Sequence, residues 1–156
     1  MVISCTFAGH RKVYGHNVKS SIEIAIENIL KKDHSFVFYS GDMGEFDKMC
    51  STAVRTAKRR HPELDIKLLA VLPYMMTKVN TEKDSYKNLY DDIIIPMELS
   101  RAHYKSAITK RNRWIVDRSD FLIAYVYRDF GGAYATLKYA CRKKKEIINL
   151  ANIGRP

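Results

Sequence analysis

The chain has 156 residues, of which 46% are hydrophobic and 11% aromatic, a composition that is typical of globular proteins and excludes an intrinsically disordered one. This length suits a single core, so we expect one domain over residues 1–156. The formal net charge of +10 predicts attraction to phosphate-bearing partners without identifying them.

Membrane and secreted proteins are disfavoured as well. No apolar run approaches the roughly 18 to 20 residues that a membrane span needs, and the stretch MVISCTFAGHRK lacks the basic region and apolar core of a signal peptide. We therefore expect a cytoplasmic protein with no membrane partner. The cysteines Cys5, Cys50 and Cys141 are odd in number and widely spaced, which predicts neither a disulfide framework nor a zinc site. We interpret them as reduced core thiols and assign no metal and no cofactor.

The first half of the chain alternates strands and helices. The apolar run VISCTFA predicts a strand, buried on both faces, that breaks at Gly9. Asn17 is a favourable N-cap, and the helix behind it has apolar residues at helical spacing: Val18, Ile22, Ala25, Ile26, Ile29 and Leu30. SFVFYS predicts a second strand. The next helix ends near Pro62, and its apolar stripe comprises Phe46, Cys50, Ala53, Val54 and Ala57.

The second half continues the alternation. Further strands are predicted at IKLLAVLPY, DDIIIPM, DFLIAYVY and EIINL, and helices at about residues 107–118 and 133–143. Residues 75–87 lack clear periodicity and predict either a mobile loop or a short extra helix. Strands that alternate with helices predict an α/β fold with a mainly parallel sheet of about six strands covered on both faces.

Ligands of open parallel sheets bind beyond the carboxyl ends of the strands, so we expect the site residues in the segments that follow the strands. In SGDMGEFD, Gly41 and Gly44 permit positive φ and close approach to the backbone, and the free N–H groups of the next helix favour an anion. The pattern predicts a phosphate cradle; the alternative is a tight turn in which Asp47 improves the helix dipole. Gly131 and Gly132 repeat the arrangement, with a plain turn as the alternative.

Three runs concentrate the basic charge: AKRRHPELDIK, TKRNRW and CRKKKE. The first and last stand where helices are predicted to end, and cations complement the dipole there. They predict either solvated helix ends or a nucleic-acid surface.

Several motifs resemble a known superfamily. SGDMGEFD is similar to a G-G-x-G-x-F-D turn, and KRNRWIVDRSDFLIAYVYRDFGGAYATLKYA resembles an R-N-x-x-M-V-D-x-S-D…G-G-T-x-x-T-x-x-Y-A block. TFAGHRK resembles a T-G-H-R start. Together, from about Ile3 to Leu150, they resemble the SLOG superfamily, which includes the DprA (SMF) proteins and the LOG phosphoribohydrolases. The resemblance implies a Rossmann-like three-layer sandwich that holds nucleotides or nucleotide derivatives at the strand carboxyl ends.

The resemblance also implies a set of ligand-binding residues. Arg11 would neutralise phosphate, Asp47 would belong to the second wall, and Thr136 would offer a hydroxyl to phosphate or ribose. The ligand-binding set is Gly9, His10, Arg11, Gly41, Gly44, Arg111, Asn112, Gly131, Gly132 and Thr136.

Two departures from the family pattern bear on activity. Asp42 stands where the pattern has a second glycine, and we expect it to narrow the pocket or repel phosphate. FGGAYATLKYA has Lys138 or Tyr139 where LOG enzymes have a glutamate implicated in cleaving the N-glycosidic bond. Cleavage passes through an oxocarbenium-like species that a carboxylate stabilises. Glu45 and Asp47 are therefore the candidate catalytic residues, unless they serve only the helix N-terminus.

Four further side chains have open alternatives. His10 is either an acid or phosphate donor, or a turn histidine bonded to backbone. Arg111 is predicted to meet phosphate through two parallel hydrogen bonds, or is a solvated cation. Trp114 stacks on a base, or makes a core or dimer contact. Asp117 is interpreted as an ion-pair partner of Arg113.

Three alternative functions are compatible with binding of a nucleotide. The first is a sensor or sequestering module for a nucleotide or nucleotide-derived ligand, which the missing glutamate favours. The second is a nucleotide N-glycosidase or phosphoribohydrolase that uses Glu45 or Asp47. The third is a DprA-like protein that binds single-stranded DNA, which the net charge favours. We expect a homodimer, since family members commonly pair.

Overall fold

The computed structural model describes residues 1–15, 17–75, 83–99 and 101–152. The strands in these ranges are β1 (Val2–Gly9), β2 (Ser35–Ser40), β3 (Asp65–Val71), β4 (Asp92–Ile94), β5 (Phe121–Tyr125) and β6 (Glu146–Asn149). The α-helices are α1 (Val18–Leu30), α2 (Gly44–Arg60), α3 (Lys83–Leu89), α4 (Tyr104–Asp117) and α5 (Gly132–Arg142). Short 3₁₀ helices occur at Met97–Leu99 and Leu150–Asn152.

The strands form one six-stranded sheet in the order β4-β3-β2-β1-β5-β6. Every adjacent pair is parallel, which confirms the predicted α/β Rossmann-like fold. From β1 the chain first builds outward to β4, then crosses back to add β5 on the other side of β1. A crevice therefore opens between the carboxyl ends of β1 and β5, at the point where the strand order reverses.

Helices cover both faces of this sheet. In β5, Phe121, Ile123 and Tyr125 belong to the apolar cluster that contains the buried residues of α1 and α2. The alternate residues Leu122 and Ala124 belong to a second cluster, with side chains from α4 and α5. Because successive side chains of a strand point to opposite faces, the sheet is the middle layer of three. The run VISCTFA, which predicted a strand buried on both faces, lies in β1, where Phe7 belongs to the first cluster and Ala8 to the second.

Some element boundaries and local roles differ from the predictions. β3 ends at Val71, short of the predicted end at Tyr74, because Pro73 has no N–H to offer a neighbouring strand. Asn17 precedes α1, but its side chain makes no capping hydrogen bond. Cys5 and Cys50 are buried thiols, as expected. The prediction of a core thiol is wrong for Cys141, which is exposed because it lies at the end of α5, beyond the last buried residue of this helix, Ala140.

The helical stripe of α2 is confirmed, since all five of its predicted apolar residues are buried. The segment of unclear periodicity falls largely outside the described residues, and its last part belongs to α3. Within the described ranges, no helix has both the length and the apolar character that crossing a membrane would require.

Candidate ligand-binding cavity

A cavity of about 450 Å³ lies at the carboxyl end of β1. Its walls come from the loop after β1, the turn between β2 and α2, the helix α4, the segment after β5 and the first turn of α5. This is the crevice where the strand order reverses. The cavity therefore occupies the place where open parallel sheets bind their ligands.

Most of the predicted ligand-binding residues lie in this cavity wall. Those that line it are Gly9, His10, Arg11, Gly41, Arg111, Asn112, Gly132 and Thr136. Gly44 and Gly131 are not among the lining residues. Of the two candidate catalytic carboxylates, Asp47 lines the cavity and Glu45 does not.

The lining is strongly cationic. Arg11, Lys12, Arg111 and Arg128 contribute positive charge, and Asp47 is the one carboxylate in the lining. A concave site with one sign of charge concentrates ligands of the opposite sign. Lys12 and Arg128 were not among the predicted ligand-binding residues, although both follow strand ends, in FAGHRK and VYRDFGG. Their position shortly after the ends of β1 and β5 is a feature of the sequence that could have identified them.

The first turn of α5 is open toward the cavity. Gly131 occupies the N-cap position with φ +95° and no side-chain cap. The first N–H groups of a helix have no intrahelical acceptor, and Gly132 and Ala133 line the cavity. An anion is favoured at such a helix end. Thr136, however, donates its hydroxyl hydrogen to the Gly132 carbonyl oxygen at 2.9 Å, so that hydrogen is not free for a phosphate.

The glycines of the turn between β2 and α2 are better explained by close packing of the turn against the Arg11 backbone than by an open cradle for phosphate. Gly44 has φ +86°, and a Cβ there would lie 3.0 Å from the Arg11 Cα. The Glu45 N–H donates to the Arg11 carbonyl oxygen, and the Met43 N–H donates to Asp47 Oδ2. These two donors of the turn are therefore used within the protein.

Gly9 has a packing role that its motif did not indicate. A Cβ at this position would lie 2.3 Å from the ring of Phe46, a fully buried side chain of α2. Only glycine lets the end of β1 pass so close to that ring.

Arg111 is a buried residue of the cavity floor. It is 2% exposed, and its Nη1 donates to the Gly41 and Val71 carbonyl oxygens at 2.9 and 2.8 Å. Nε donates to Asn112 Oδ1 at 2.8 Å. The solvated-cation alternative is wrong, because α4 turns this side chain under the ends of β2 and β3. Burial lowers the pKa of Arg111, and the charge of Asp47 opposes that shift.

Asp47 combines burial with access to the cavity. Its residue surface is 8% exposed. Burial raises the pKa of Asp47 to about 7, although the Met43 N–H and the Arg111 charge lower it in part. A carboxyl with such a pKa exchanges protons near neutral pH, as a general acid or base must.

His10 is held by backbone, as one of its two alternatives expected. Its Nε2 accepts a hydrogen bond from the Tyr127 N–H at 3.3 Å, so Nδ1 carries the proton of the neutral ring. Burial and the Arg128 charge lower the pKa of His10. The ring is therefore neutral at pH 7 and adds no charge to the cavity.

Asp42 does not act on the pocket as expected. It does not line the cavity, and its carboxylate accepts hydrogen bonds from the Tyr86 and Tyr90 hydroxyls, each at 2.7 Å. Its φ of +54° lies in the left-handed region, where the family pattern has glycine. Asp42 thus joins the turn to the segment that contains α3.

Trp114 and Asp117 lie outside the cavity lining. The Trp114 Nε1 donates to Glu98 Oε2 at 2.5 Å, and the Arg118 guanidinium carbon lies 3.7 Å from the centre of its ring. Asp117 accepts a hydrogen bond from the Tyr139 hydroxyl at 2.7 Å. The expected ion pair between Arg113 and Asp117 is wrong, because α5 places the Tyr139 ring beside Arg113 at 5.0 Å. The dimer contact proposed for Trp114 stays a prediction.

Two of the three basic runs converge on one surface. Around the Tyr139 ring lie Arg113 of α4 at 5.0 Å, and Arg142 and Lys143 at 5.5 Å each. We call these three exposed cations the α4–α5 cationic face. In the remaining run, AKRRHPELDIK, three cations form ion pairs with acidic side chains: Lys58 with Asp91, Arg60 with Glu27, and Lys67 with Asp65.

Among the described residues, no group of three or more His, Cys, Asp or Glu side chains is arranged to hold a metal ion. No protein-family model matches the chain, and no curated protein matches its sequence.

Solved structures do match its fold. DNA processing protein A (DprA) from Streptococcus pneumoniae has a TM-score of 0.64 at 17% identity, over 93% of this chain and 49% of that chain. DprA from Helicobacter pylori, described for its binding of single-stranded DNA, has a TM-score of 0.63 at 14% identity, over 93% and 63%. The molybdenum cofactor carrier protein from Chlamydomonas reinhardtii has a TM-score of 0.60 at 15% identity, over 97% and 77%.

The present chain thus spans 49% and 63% of the two DprA chains that it matches. At these identities the likeness concerns the fold. It confirms the predicted α/β Rossmann-like fold.

Proposed function

We propose that the cavity binds a nucleotide or a nucleotide-derived ligand, and that the protein senses or sequesters this ligand. The observation that carries the proposal is the convergence of the exposed Arg11, Lys12 and Arg128 side chains and the uncapped N-terminus of α5 on one cavity at the strand reversal, above the buried charge of Arg111. A phosphate fits this arrangement because helix N–H groups and guanidinium groups both bind oxyanions.

The remaining walls suit the rest of a nucleotide. The cavity volume of about 450 Å³ falls within the range of about 300 to 1,000 Å³ that is usual for small-molecule sites. Tyr14 and Tyr127 supply aromatic surface, against which a base can pack. The structural neighbours include a DNA-binding protein and a cofactor carrier, which supports a role in binding rather than in one particular reaction.

A ligand panel tests the proposal. The four common nucleoside 5′-monophosphates, each beside its own nucleoside, are added to the protein during thermal unfolding. Because a ligand of the folded state stabilises it by mass action, the monophosphates should raise the Tm more than the nucleosides do. Equal shifts for each monophosphate and its nucleoside would show that phosphate is not recognised. Mass spectrometry of small molecules released from natively purified protein identifies the natural ligand.

A second function, cleavage of the N-glycosidic bond, is favoured by the position and pKa of Asp47. The carboxyl would give its proton to the leaving nitrogen as the bond to the anomeric carbon breaks. Water would add to that carbon, and its surplus proton would return to the Asp47 carboxylate. Release of free base by wild-type protein and its loss in Asp47→Asn would support this reaction. Release at an unchanged rate in Asp47→Asn would exclude Asp47 as the acid.

A third function, binding to single-stranded DNA, is favoured by the α4–α5 cationic face. Its three cations surround a tyrosine ring, and one of them, Lys143, also pairs with Asp117 at 3.8 Å. Phosphate contacts release counterions, so the affinity for an oligonucleotide should fall steeply with salt. Substitution of Arg113 and Arg142 by glutamine should reduce that salt dependence, whereas Arg59→Gln with Lys67→Gln serves as the control. No difference between the two double variants would remove this face as a DNA site.

A further inference from the structure

We infer that Glu45 is a positioning residue that holds the loop after β1, residues 10–14, against the start of α2, and thereby sets where Arg11 and Lys12 enter the cavity. The inference rests on the proposed function, since it concerns recognition of the ligand's phosphate. It gives Glu45 a role other than the catalytic one that the sequence suggested.

The loop is hydrogen-bonded to Glu45 on both sides of Lys12. The Glu45 N–H donates to the Arg11 carbonyl oxygen at 3.0 Å, and the Val13 N–H donates to Glu45 Oε2 at 2.8 Å. One residue of α2 therefore satisfies one backbone group before Lys12 and one after it. Hydrogen bonds to a carboxylate are stronger than those between neutral groups.

The backbone on the α2 side is shaped for this contact. Gly44, directly before Glu45, has φ +86°, and the Cβ of any other residue would lie 3.0 Å from the Arg11 Cα. Phe46, directly after it, is fully buried. The loop is thus attached to a helix whose first turn is fixed in the core.

Within the described residues, Glu45 is the one hydrogen-bond partner of the backbone of residues 11–13, and the Val13 side chain also packs against the main apolar cluster. The ends have other partners: the His10 N–H donates to the Tyr125 carbonyl oxygen, and the Tyr125 hydroxyl donates to the Tyr14 carbonyl oxygen. Arg11 and Lys12 themselves have exposed surfaces. Loss of the Glu45 carboxylate would therefore release the Val13 N–H and loosen the loop after Lys12, while the bond from the Glu45 N–H to Arg11 and both loop ends stay in place.

The placement of Glu45 itself argues against direct contact with ligand. It is exposed and does not line the cavity, and one of its two carboxylate oxygens already accepts from Val13. A carboxylate near a phosphate would also repel it. Its effect on the ligand must pass through the loop.

Three variants test the inference. Glu45→Ala removes the acceptor for the Val13 N–H, Glu45→Gln keeps a side-chain oxygen at the same reach, and Glu63→Ala removes an equal charge beyond the other end of α2. For each, affinities are measured by calorimetry for the four common nucleoside 5′-monophosphates and their nucleosides. The readout is the ratio of the two affinities for each base, which isolates the contribution of the phosphate.

We expect Glu45→Ala to reduce this ratio by about tenfold, the scale of one hydrogen bond to a charged group. Glu45→Gln and Glu63→Ala should keep the wild-type ratio, and no variant should change nucleoside affinity. An unchanged ratio in folded Glu45→Ala protein would overturn the inference, as would a loss in Glu45→Gln equal to that in Glu45→Ala.

A ligand-free measurement separates this inference from the proposed function. Amide hydrogen exchange of Val13 should quicken in Glu45→Ala and stay slow in Glu45→Gln, since exchange reports local opening. If wild-type protein does not distinguish monophosphates from nucleosides, the proposed function fails, and this exchange still decides whether Glu45 holds the loop. Equal protection of Val13 in wild type and Glu45→Ala would overturn the inference by itself.

Discussion

The guanidinium of Arg111 donates to the Gly41 carbonyl oxygen at 2.9 Å, and this contact joins α4 to the end of β2 beneath the cavity. The same nitrogen also reaches the Val71 carbonyl oxygen at the end of β3. One buried side chain of α4 therefore connects two strand ends.

Arg111→Lys should destabilise the protein. Lysine has one terminal nitrogen and cannot reproduce the bonds to both carbonyl oxygens and to Asn112, so buried acceptors are left without partners. We expect the free energy of unfolding, measured in urea, to fall by about 2 to 4 kcal/mol. Arg113→Lys, on the exposed side of the same helix, should change it by less than about 0.5 kcal/mol. Equal stabilities of the two variants would contradict the structural role.

Gly9 and Gly132 should respond to alanine in opposite ways. Gly9→Ala forces a Cβ into the Phe46 ring, and such overpacking costs about 1 to 3 kcal/mol of folding stability. Gly132→Ala meets nothing within 4 Å, so it should fold normally and weaken monophosphate binding by filling space at the α5 N-terminus. Urea unfolding and calorimetric titration of both variants check this. Normal stability of Gly9→Ala, or full affinity of Gly132→Ala, would contradict it.

These glycines show what the sequence can and cannot predict. The strands were predictable because apolar runs bounded by turn residues are local signals, and SFVFYS gives the bounds of β2. The ring of Phe46 against Gly9, and the hydroxyls of Tyr86 and Tyr90 on Asp42, are contacts between distant segments. No local pattern encodes such contacts. For the same reason the motif located the cavity at the strand ends but could not separate Asp47 from Glu45.

Asp47 should make stability depend on pH in an uncommon direction. Its pKa in the folded protein is raised to about 7 from the ordinary value of 3.8, so between these pH values the folded state binds more protons than the unfolded state. Stability from this group therefore falls as pH rises from about 4 to about 7 and is constant above. Asp47→Asn removes the effect. We expect the stability of Asp47→Asn, measured relative to wild type, to increase as the pH rises from 5 to 8, by an amount on the order of 2 to 3 kcal/mol.

Urea unfolding of both proteins at the two pH values measures this gain. The difference between them isolates Asp47 from other titrating groups. A difference that is the same at pH 5 and pH 8 would show that the carboxyl is ionised at both.

His61, at the opposite end of α2, should also make the stability of the protein depend on pH. Its hydrogen bond to Glu27, with Nε2 and Oε2 2.8 Å apart, raises the pKa of His61 above its usual value of 6.5. The stabilisation is therefore complete below pH 6.5 and is lost as pH rises through the raised pKa. His61→Gln should lower the Tm more at pH 5.5 than at pH 9. An equal loss at both pH values would mean that the charge of His61 adds nothing.

The most direct test of phosphate recognition in the cavity is calorimetric titration of wild type, Arg128→Gln and Arg113→Gln with the monophosphate that gives the largest thermal shift. Arg128 lines the cavity beside the first turn of α5, whereas Arg113 belongs to the α4–α5 cationic face. Both variants lose one positive charge from an exposed residue. We predict that Arg128→Gln weakens binding by about tenfold and that Arg113→Gln leaves it within about twofold of wild type. Equal affinities of the two variants, or a greater loss in Arg113→Gln, would contradict binding of the phosphate in this cavity.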